Sequence, residues 1–156
     1  MGTELKVGQK APAFSLPRDG GGSVSLAEFK GRKLVIYFYP RADTPGCTRE
    51  SIAFSQLRAE FTRAGTDILG VSADPVKAQD AFKKKHDLTV GLLSDEAHEM
   101  LKAYGAWAKK SMYGKSFMGI VRSTFLIDAK GRIAQIWPKV KVDGHAAEVL
   151  EAAQAI

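Results

Sequence analysis

Residues 34–50 read LVIYFYPRADTPGCTRE. The first six, Leu34 to Tyr39, are the most apolar run of the chain and lack polar alternation, which is typical of a central strand covered on both faces. Thr44 followed by Pro45 predicts the start of a helix, because Thr is a favoured N-cap and Pro suits the first helical position. A buried strand that leads into a helix indicates an α/β fold, with its sites at the carboxyl ends of strands.

Cys47 is the only cysteine of the chain and would be the third residue of that helix. The unpaired N–H groups of a first helical turn and the positive end of the helix dipole stabilise an anion, which for cysteine is the reactive thiolate. Gly46 removes a side chain beside the sulfur, which we expect to leave room for a small substrate. A lone cysteine is more often an inert buried residue, but its place in a turn after a strand makes a reactive thiol an equal alternative.

The rest of the chain predicts a mixed central sheet flanked by helices, in a single domain over residues 1–156. Short runs at 14–16 and 24–26 on either side of a glycine-rich turn predict an N-terminal hairpin. Further strands are predicted at 33–39, 68–72, 91–94, 121–127 and 133–137, helices at 45–65, from 74, at 96–104 and from 144, and a loop at 105–119. In the helix that starts near residue 74, the apolar side is expected to hold Ala78, Ala81 and Phe82.

Composition narrows the function classes. The chain has 156 residues, is 45% hydrophobic and carries a formal net charge of +6. Its basic residues are scattered, and the densest cluster, 83–85, is predicted to be a solvent-exposed helix face rather than a nucleic-acid site. The first six residues lack a signal-peptide core and no run reaches about 18 apolar residues, so we expect a cytoplasmic protein without a membrane span. His86, His98 and His145 lack metal-ligand spacing, and surface or capping roles are expected for them.

The motif Pro40-x-x-x-Thr44-x-x-Cys47 resembles the active-site signature of the peroxiredoxins, and the longer Tyr-Pro-x-x-x-Thr-Pro-Gly-Cys-Thr form resembles their bacterioferritin-comigratory-protein (PrxQ) branch. Segments 8–16, 69–72 and 119–128 match the same family in the same order. The resemblance implies a thioredoxin-like fold and an antioxidant thiol peroxidase that reduces hydrogen peroxide and organic hydroperoxides through a sulfenic acid on Cys47. It implies no bound cofactor and no metal.

Thiolate formation alone does not explain such a reaction. Lowering the pKa of a thiol from about 8.5 to about 6 raises its ionised fraction at pH 7 roughly 30-fold, but the accompanying loss of nucleophilicity removes about tenfold of that gain. Preorganised donors must therefore hold the peroxide. The backbone N–H groups of Gly46 and Cys47 and the hydroxyl of Thr44 are candidates. The residues leave the required cation open among Arg41, Arg49, Arg122 and Arg132.

The resemblance assigns three further roles. It points to Arg122 as the cation that hydrogen-bonds both the thiolate and the peroxide. It gives Glu50, three residues after Cys47, the role of orienting that arginine, whereas the residues alone allow a solvent-facing partner of a helical Lys or Arg. It assigns Pro40 the role of shielding the pocket from water. Aromatic side chains near the site are expected to leave room for organic substrates: Phe38, Trp107 and Phe117.

The chain departs from the branch in its second cysteine. One common position of a resolving cysteine holds Ile52, and another aligns with Lys83. The oxidised sulfur must then react with an external thiol, for which glutathione, thioredoxin and glutaredoxin are candidates. We expect a monomer or weak dimer.

Three other functions use the same residues differently. A redox sensor would pass oxidation of Cys47 to a partner protein and react about once. A thioredoxin-like disulfide reductase is disfavoured because the chain has no Cys-x-x-Cys. A cysteine hydrolase needs a positioned histidine, and no histidine is near Cys47 in the sequence.

Overall fold

The computed structural model describes residues 5–156. Its strands are β1 Ser15–Pro17, β2 Ser23–Ser25, β3 Lys33–Phe38, β4 Thr66–Ser72, β5 Gly91–Ser94, β6 Trp107–Met112, β7 Lys115–Ile120, β8 Ser123–Ile127 and β9 Ile133–Trp137. Its α-helices are α1 Pro45–Gln56, α2 Arg58–Arg63, α3 Val76–His86, α4 Glu99–Ala103 and α5 His145–Gln154, and a short 3-10 helix covers Leu26–Phe29.

The central element is β3, the middle strand of a sheet in the order β5-β4-β3-β8-β9. It runs parallel to β4 and antiparallel to β8, so the sheet is mixed, as predicted. The antiparallel register pairs Phe38 with Ser123. Arg122, one residue before Ser123, therefore lies at the carboxyl end of β3, where the chain turns into α1. The predicted N-terminal hairpin is formed by β1 and β2.

The side chains of β3 alternate between two buried clusters, one on each face of the sheet. Leu34, Ile36 and Phe38 pack on one face. Val35 and Tyr37 pack on the other, in the cluster that also holds Cys47. This division follows from the two-residue period of a strand, and it places the cysteine under the sheet face that α1 covers. Phe38, expected beside the site, belongs to the opposite cluster, so that expectation was wrong.

The helix predicted to run from residue 45 to residue 65 is two helices. The break is at Leu57, which has φ −96° and ψ 2° and ends α1, and α2 follows directly. Phe54 in α1 and Phe61 in α2 are both fully buried in the cluster that holds Cys47. The end near Gly65 is as predicted, and Gly65 takes the left-handed conformation with φ +69°.

The predicted loop at 105–119 is a hairpin, so that prediction was wrong. β6 and β7 pair antiparallel from Trp107–Ile120 to Met112–Lys115. The turn between them has two residues with positive φ, Tyr113 at +51° and Gly114 at +76°, which is the geometry of a tight hairpin turn. Tyr-Gly is not the usual Asn-Gly or Asp-Gly signature, and the flanking lysines and serines do not alternate cleanly with apolar residues. The sequence therefore lacked the signals by which a hairpin is recognised.

Helix α3 buries a polar residue that the sequence did not predict. Ala81 is exposed, whereas Gln79 is fully buried and donates from Nε2 to the Leu93 carbonyl at 2.8 Å. The 83–85 cluster is also not a simple solvent-exposed face, because Lys83 binds the buried Asp19 at 2.8 Å. Local period alone did not reveal these partners, since Leu93 comes from β5 and Asp19 from the turn between β1 and β2.

Helix α4 begins at Glu99 rather than at residue 96, because His98 before it takes the left-handed conformation with φ +62°. Among residues 5–156, no helix combines the length and apolar character that crossing a membrane requires. Most of the segment used to judge a signal peptide, residues 1–4, lies outside the described part of the chain.

Candidate active site

Helix α1 begins at the predicted residue. Thr44 is at the N-cap position with extended backbone angles, Pro45 is the first helical residue, and the Thr48 N–H donates to the Thr44 carbonyl at 2.8 Å. The Thr44 side chain does not cap the helix, because its hydroxyl donates to the Arg41 carbonyl at 2.8 Å. The backbone N–H groups of Gly46 and Cys47 consequently have no acceptor in the described part of the chain.

The Cys47 sulfur lies within reach of one guanidinium. Arg122 donates from Nη2 to Cys47 Sγ at 3.3 Å and from Nη1 to Glu50 Oε1 at 2.7 Å. Cys47 and Glu50 are each 1% exposed, and the Arg122 side chain is 19% exposed. Tertiary structure thus joins the cysteine, the arginine and the carboxylate that the resemblance singled out. The solvent-facing alternative for Glu50 was wrong.

The other three arginines considered as the cation are engaged elsewhere or exposed. Arg49 binds Asp143 at 2.7 Å, and Arg132 donates to the Gly8 carbonyl at 3.1 Å. Arg41 is exposed. Among residues 5–156, the guanidinium that is hydrogen-bonded to the sulfur is therefore that of Arg122.

Glu50 is a buried carboxylate with only one satisfied oxygen. Oε1 accepts from Arg122, whereas Oε2 has no hydrogen-bond partner in the described residues. Burial raises the pKa of Glu50 from 4.5 to about 7, and the attraction and hydrogen bond of Arg122 oppose that rise. Burial by itself would lower the pKa of Arg122, but Glu50 and Cys47 outweigh it and hold the guanidinium charged. The site therefore keeps a fixed cation beside the sulfur and a carboxyl that titrates near neutrality.

The titration of Glu50 predicts a pH-dependent stability. The folded chain binds this proton more tightly than the unfolded chain, so its stabilising effect is complete below pH 4.5 and is lost as the pH rises through 7. The loss is on the order of a few kcal/mol, since one pKa unit corresponds to about 1.4 kcal/mol. Glu50→Gln should flatten the fall of the unfolding free energy between pH 4.5 and 7.5, measured by urea denaturation. Glu60→Gln, on the partly exposed face of α2, is the matched control and should keep the wild-type slope; equal slopes in all three proteins would contradict the assignment.

Gly46 provides space for the arginine. A Cβ at this position would lie 3.2 Å from Arg122 Nη2 and 3.8 Å from Cζ. The sequence had predicted that the missing side chain leaves room for substrate, but the guanidinium occupies the adjoining space. A larger residue at this position would press on the group that is hydrogen-bonded to the sulfur.

Gly46→Ala should change stability and rate in opposite directions. Alanine is favoured over glycine in a helix by about 0.5–1 kcal/mol, so the melting temperature should rise or stay constant. The added methyl group should displace the Arg122 guanidinium by a few tenths of an ångström and slow oxidation of Cys47 by roughly three- to tenfold, because catalytic groups tolerate little misplacement. Thermal unfolding and stopped-flow oxidation by peroxide measure the two effects. An unchanged rate would show that the guanidinium adjusts without loss.

The loop that carries Pro40 is attached to both ends of α3. The Ala42 N–H donates to Asp74 Oδ2 at 2.8 Å, before the helix begins. Asp43, held with φ +61°, binds Lys85 and His86 at 2.8 Å each, at the end of the helix. Pro40 itself is half-buried. Sequence reasoning missed the roles of Asp43 and Asp74, because their partners are more than 30 residues away along the chain.

The buried histidine of the structure is His145, at the start of α5. It is 4% exposed, and its Nε2 lies 2.8 Å from Thr124 Oγ1. Its ring meets that of Phe54 edge to face. Burial lowers the pKa of His145. The prediction of a surface or capping role was wrong for this residue, because β8 supplies a polar partner that spacing did not reveal. The histidine base that a hydrolase needs is not a hydrogen-bond partner of Cys47 in the described residues.

The chain is similar to a known protein family, to named proteins of that kind and to solved structures. Residues 7–136 match the model of the AhpC/TSA family. The chain is 44% identical over 147 residues to peroxiredoxin Bcp of Bacillus subtilis, and the match covers 94% of each protein. It resembles a solved structure of Xylella fastidiosa PrxQ with a TM-score of 0.93 and 37% identity, covering 99% of this chain and 98% of that one.

A second solved structure is that of the Xanthomonas campestris bacterioferritin comigratory protein, described for its alkyl peroxide reduction activity. The TM-score is 0.88 at 45% identity, with 91% of this chain and 90% of that chain covered. Both structural likenesses confirm the thioredoxin-like fold predicted from the sequence.

Proposed function

Because this chain belongs to the AhpC/TSA family and, within it, to the Bcp/PrxQ peroxiredoxins, we propose that it reduces hydrogen peroxide and organic hydroperoxides through Cys47. In this reaction the thiolate attacks one peroxide oxygen and the O–O bond breaks. The sulfur is oxidised to a sulfenic acid, and the other oxygen leaves with the bonding electron pair and takes a proton to become water or an alcohol. The Xanthomonas campestris relative, which is described for alkyl peroxide reduction, supports the inclusion of organic substrates.

The observation that carries the proposal is the fork of Arg122. One of its nitrogens donates to Cys47 Sγ at 3.3 Å, and the other is held by Glu50 at 2.7 Å. A guanidinium fixed at its far side by a buried carboxylate cannot turn away, so its charge is already aimed where negative charge moves from sulfur to oxygen. Arg122 would act on the reacting atoms, and Glu50 would act by positioning it.

The first turn of α1 would supply the remaining contacts to the peroxide. The N–H groups of Gly46 and Cys47 are free to donate to its oxygens. Since the Thr44 hydroxyl donates its hydrogen bond to the Arg41 carbonyl, its oxygen is left as an acceptor for the O–H of a hydroperoxide. Pro40, half-buried at the start of the loop, would limit access of water. No bound cofactor is needed for these steps.

An external thiol would complete the cycle. The chain has no second cysteine. The position where the branch can carry one in α3 holds Lys83, and its ion pair with Asp19 fastens α3 to the N-terminal hairpin. Glutathione, thioredoxin and glutaredoxin remain the candidate reductants. Their dependence on a reducing compartment supports a cytoplasmic location. We retain a monomer or weak dimer as the expected state, with no nucleic-acid or membrane partner.

The test of this function is catalytic turnover. With dithiothreitol in excess, the purified protein should consume many equivalents of hydrogen peroxide or cumene hydroperoxide per Cys47. Without a thiol it should consume about one equivalent and yield a sulfenic acid that dimedone traps. A peroxide sensor would stop near one equivalent in both cases, and that result would overturn the enzymatic proposal.

A further inference from the structure

The hairpin formed by β6 and β7 carries most of the large apolar side chains that are exposed among the described residues. Six large apolar side chains are exposed among the described residues, and four of them lie on this hairpin. These four are Met112, Tyr113, Phe117 and Met118, with exposed fractions of 58%, 96%, 46% and 51%. A concentration of large apolar groups at one place on a surface is characteristic of a binding site for another molecule.

The same hairpin is positively charged. Between Glu99 and Asp128 the chain has no acidic residue, and the hairpin contributes Lys109, Lys110 and Lys115. Lys110 donates to the Ile120 carbonyl within the hairpin, while Lys109 and Lys115 form no ion pair with any described residue. The surface therefore offers uncompensated cations between its apolar side chains.

Only the base of the hairpin belongs to the core. Trp107 is half-buried and stacks on His98 with ring centroids 4.0 Å apart, Ile120 is buried, and the Val121 N–H donates to the Ala106 carbonyl at 2.7 Å. Residues 111–118 are all exposed. According to the register of the pairing, each face of the ribbon mixes lysine with apolar groups. A mixed surface of this kind suits a protein partner, whereas insertion into a lipid surface favours apolar and charged groups on separate faces.

The hairpin is continuous with the active site. Strand β7 ends at Ile120, and Arg122, two residues later, is hydrogen-bonded to the Cys47 sulfur. At about 3.3 Å per residue, the six residues of a hairpin strand extend roughly 20 Å from this point. The exposed residues of the hairpin therefore lie within roughly 20 Å of its active-site end, a span that one docked protein covers.

From these observations we infer that the β6–β7 hairpin is the docking surface for a protein thiol reductant with an acidic and partly apolar face around its own cysteines. This inference rests on the proposed function and names the class of its reductant. A thiol of the docked partner attacks the Cys47 sulfenic acid, forms a mixed disulfide and releases water. The second thiol of the partner then attacks that disulfide, which frees Cys47 as a thiol and leaves the partner oxidised to a disulfide.

The burial of Cys47 limits the access of a protein thiol to its sulfur, and docking would compensate for that limit. The residue is 1% exposed, so a protein thiol reaches its sulfur only when the first turn of α1 opens. A partner held on the adjoining hairpin keeps its thiol at a millimolar effective concentration during each opening. The lysines also speed the encounter with an acidic protein. The lack of a second cysteine makes this supply from outside necessary for every turnover.

The experiment compares protein and small-molecule reductants. The double variants Lys109→Glu/Lys115→Glu and Tyr113→Ser/Met118→Ser change exposed groups only, so the fold should be retained. With thioredoxin or glutaredoxin as reductant, each should lower kcat/KM about tenfold, mainly through KM. With dithiothreitol, and in single-turnover oxidation of Cys47 by peroxide, both should match the wild type. The wild-type rate with the protein reductant should also fall with ionic strength, and that of the lysine variant should fall less.

The matched control is Lys30→Glu/Lys130→Glu, which makes the same change of net charge at the opposite end of the central sheet. It should retain the wild-type kcat/KM. The docking surface would be overturned by equal losses of kcat/KM in the control and the hairpin variants, or by no loss in either. It would also be overturned if neither thioredoxin nor glutaredoxin supported faster turnover than dithiothreitol. The hairpin variants could instead lose a dimer that the wild type forms, or lose binding to anionic vesicles, while their rates with protein reductants stay normal. Either result would also overturn the docking surface. Failure of the proposed function differs, because the wild type would then not react with peroxide at all.

Discussion

Cys47→Ser is expected to abolish peroxide consumption. A serine hydroxyl has almost no ionised form near neutral pH, and its oxygen cannot accept the peroxide oxygen as sulfur does. The rate should therefore fall to the background of buffer and thiol alone. Stopped-flow measurements with excess hydrogen peroxide, together with mass spectrometry for oxidation of the protein, test this result.

The fold of the Cys47→Ser protein should be retained. The hydroxyl is smaller than the thiol and can still accept the hydrogen bond from Arg122, so we expect a stability change of no more than about 1–2 kcal/mol. Ser51→Ala is a suitable control, because Ser51 is buried one turn later in α1 and accepts a hydrogen bond from Tyr37 at 2.9 Å. It should lose about 1 kcal/mol of stability while its Cys47 still reacts. Steady consumption of peroxide by Cys47→Ser would show that the reaction does not depend on this sulfur.

Arg122→Met should have the next largest effect. The change removes a charged donor 3.3 Å from the sulfur while keeping a long unbranched side chain. Removing one preorganised donor of this kind from an active site typically costs about a hundred- to a thousandfold in rate. We expect a loss of that size in the second-order rate constant for oxidation of Cys47. Arg49→Met, which removes an exposed arginine from the same end of α1, should react at the wild-type rate.

A structural explanation of this loss can be separated from a chemical one. Without Arg122, Glu50 is left buried without its partner, which destabilises the fold unless the carboxyl is protonated. The double variant Arg122→Met/Glu50→Gln removes that charge and should regain stability, measured by urea denaturation at pH 7.5. Its oxidation should remain as slow as that of Arg122→Met. Recovery of the rate in the double variant would mean that Arg122 matters for packing rather than for the reaction.

The errors in the sequence-based description share a physical cause: local patterns do not show which partners tertiary structure supplies. Helical period counts apolar residues, so it predicts Ala81 and not Gln79 on the buried side of α3. It cannot reveal that the Tyr39 hydroxyl and the Leu93 carbonyl form hydrogen bonds with the buried Gln79 amide. For the β6–β7 hairpin the sequence predicts a loop, because the turn and the mixed pattern of the strands lack the usual hairpin signals. For His145 the sequence predicts a surface or capping role. It cannot reveal the buried partner, Thr124, because that residue lies on a strand 21 residues earlier.

Local features were determined by the sequence alone. The apolar run at 34–39 established the central strand, and Thr44-Pro45 established the start of α1, which put Cys47 in its first turn. These features depend on the backbone preferences of neighbouring residues, so they are encoded within a few residues. The motif around Cys47, with its resemblance, also identified the family and the thiol chemistry.

The tertiary structure alone decided which groups surround the sulfur. Arg122 is 75 residues from Cys47 along the chain, and without the resemblance the sequence left four arginines open. The antiparallel register of β3 and β8 brings Arg122 to the end of β3, and the packing of α1 on the sheet buries Glu50 beside it. The same packing puts the guanidinium against Gly46. Contacts of this kind depend on how strands pair and helices pack across the whole chain, which no short stretch of residues specifies.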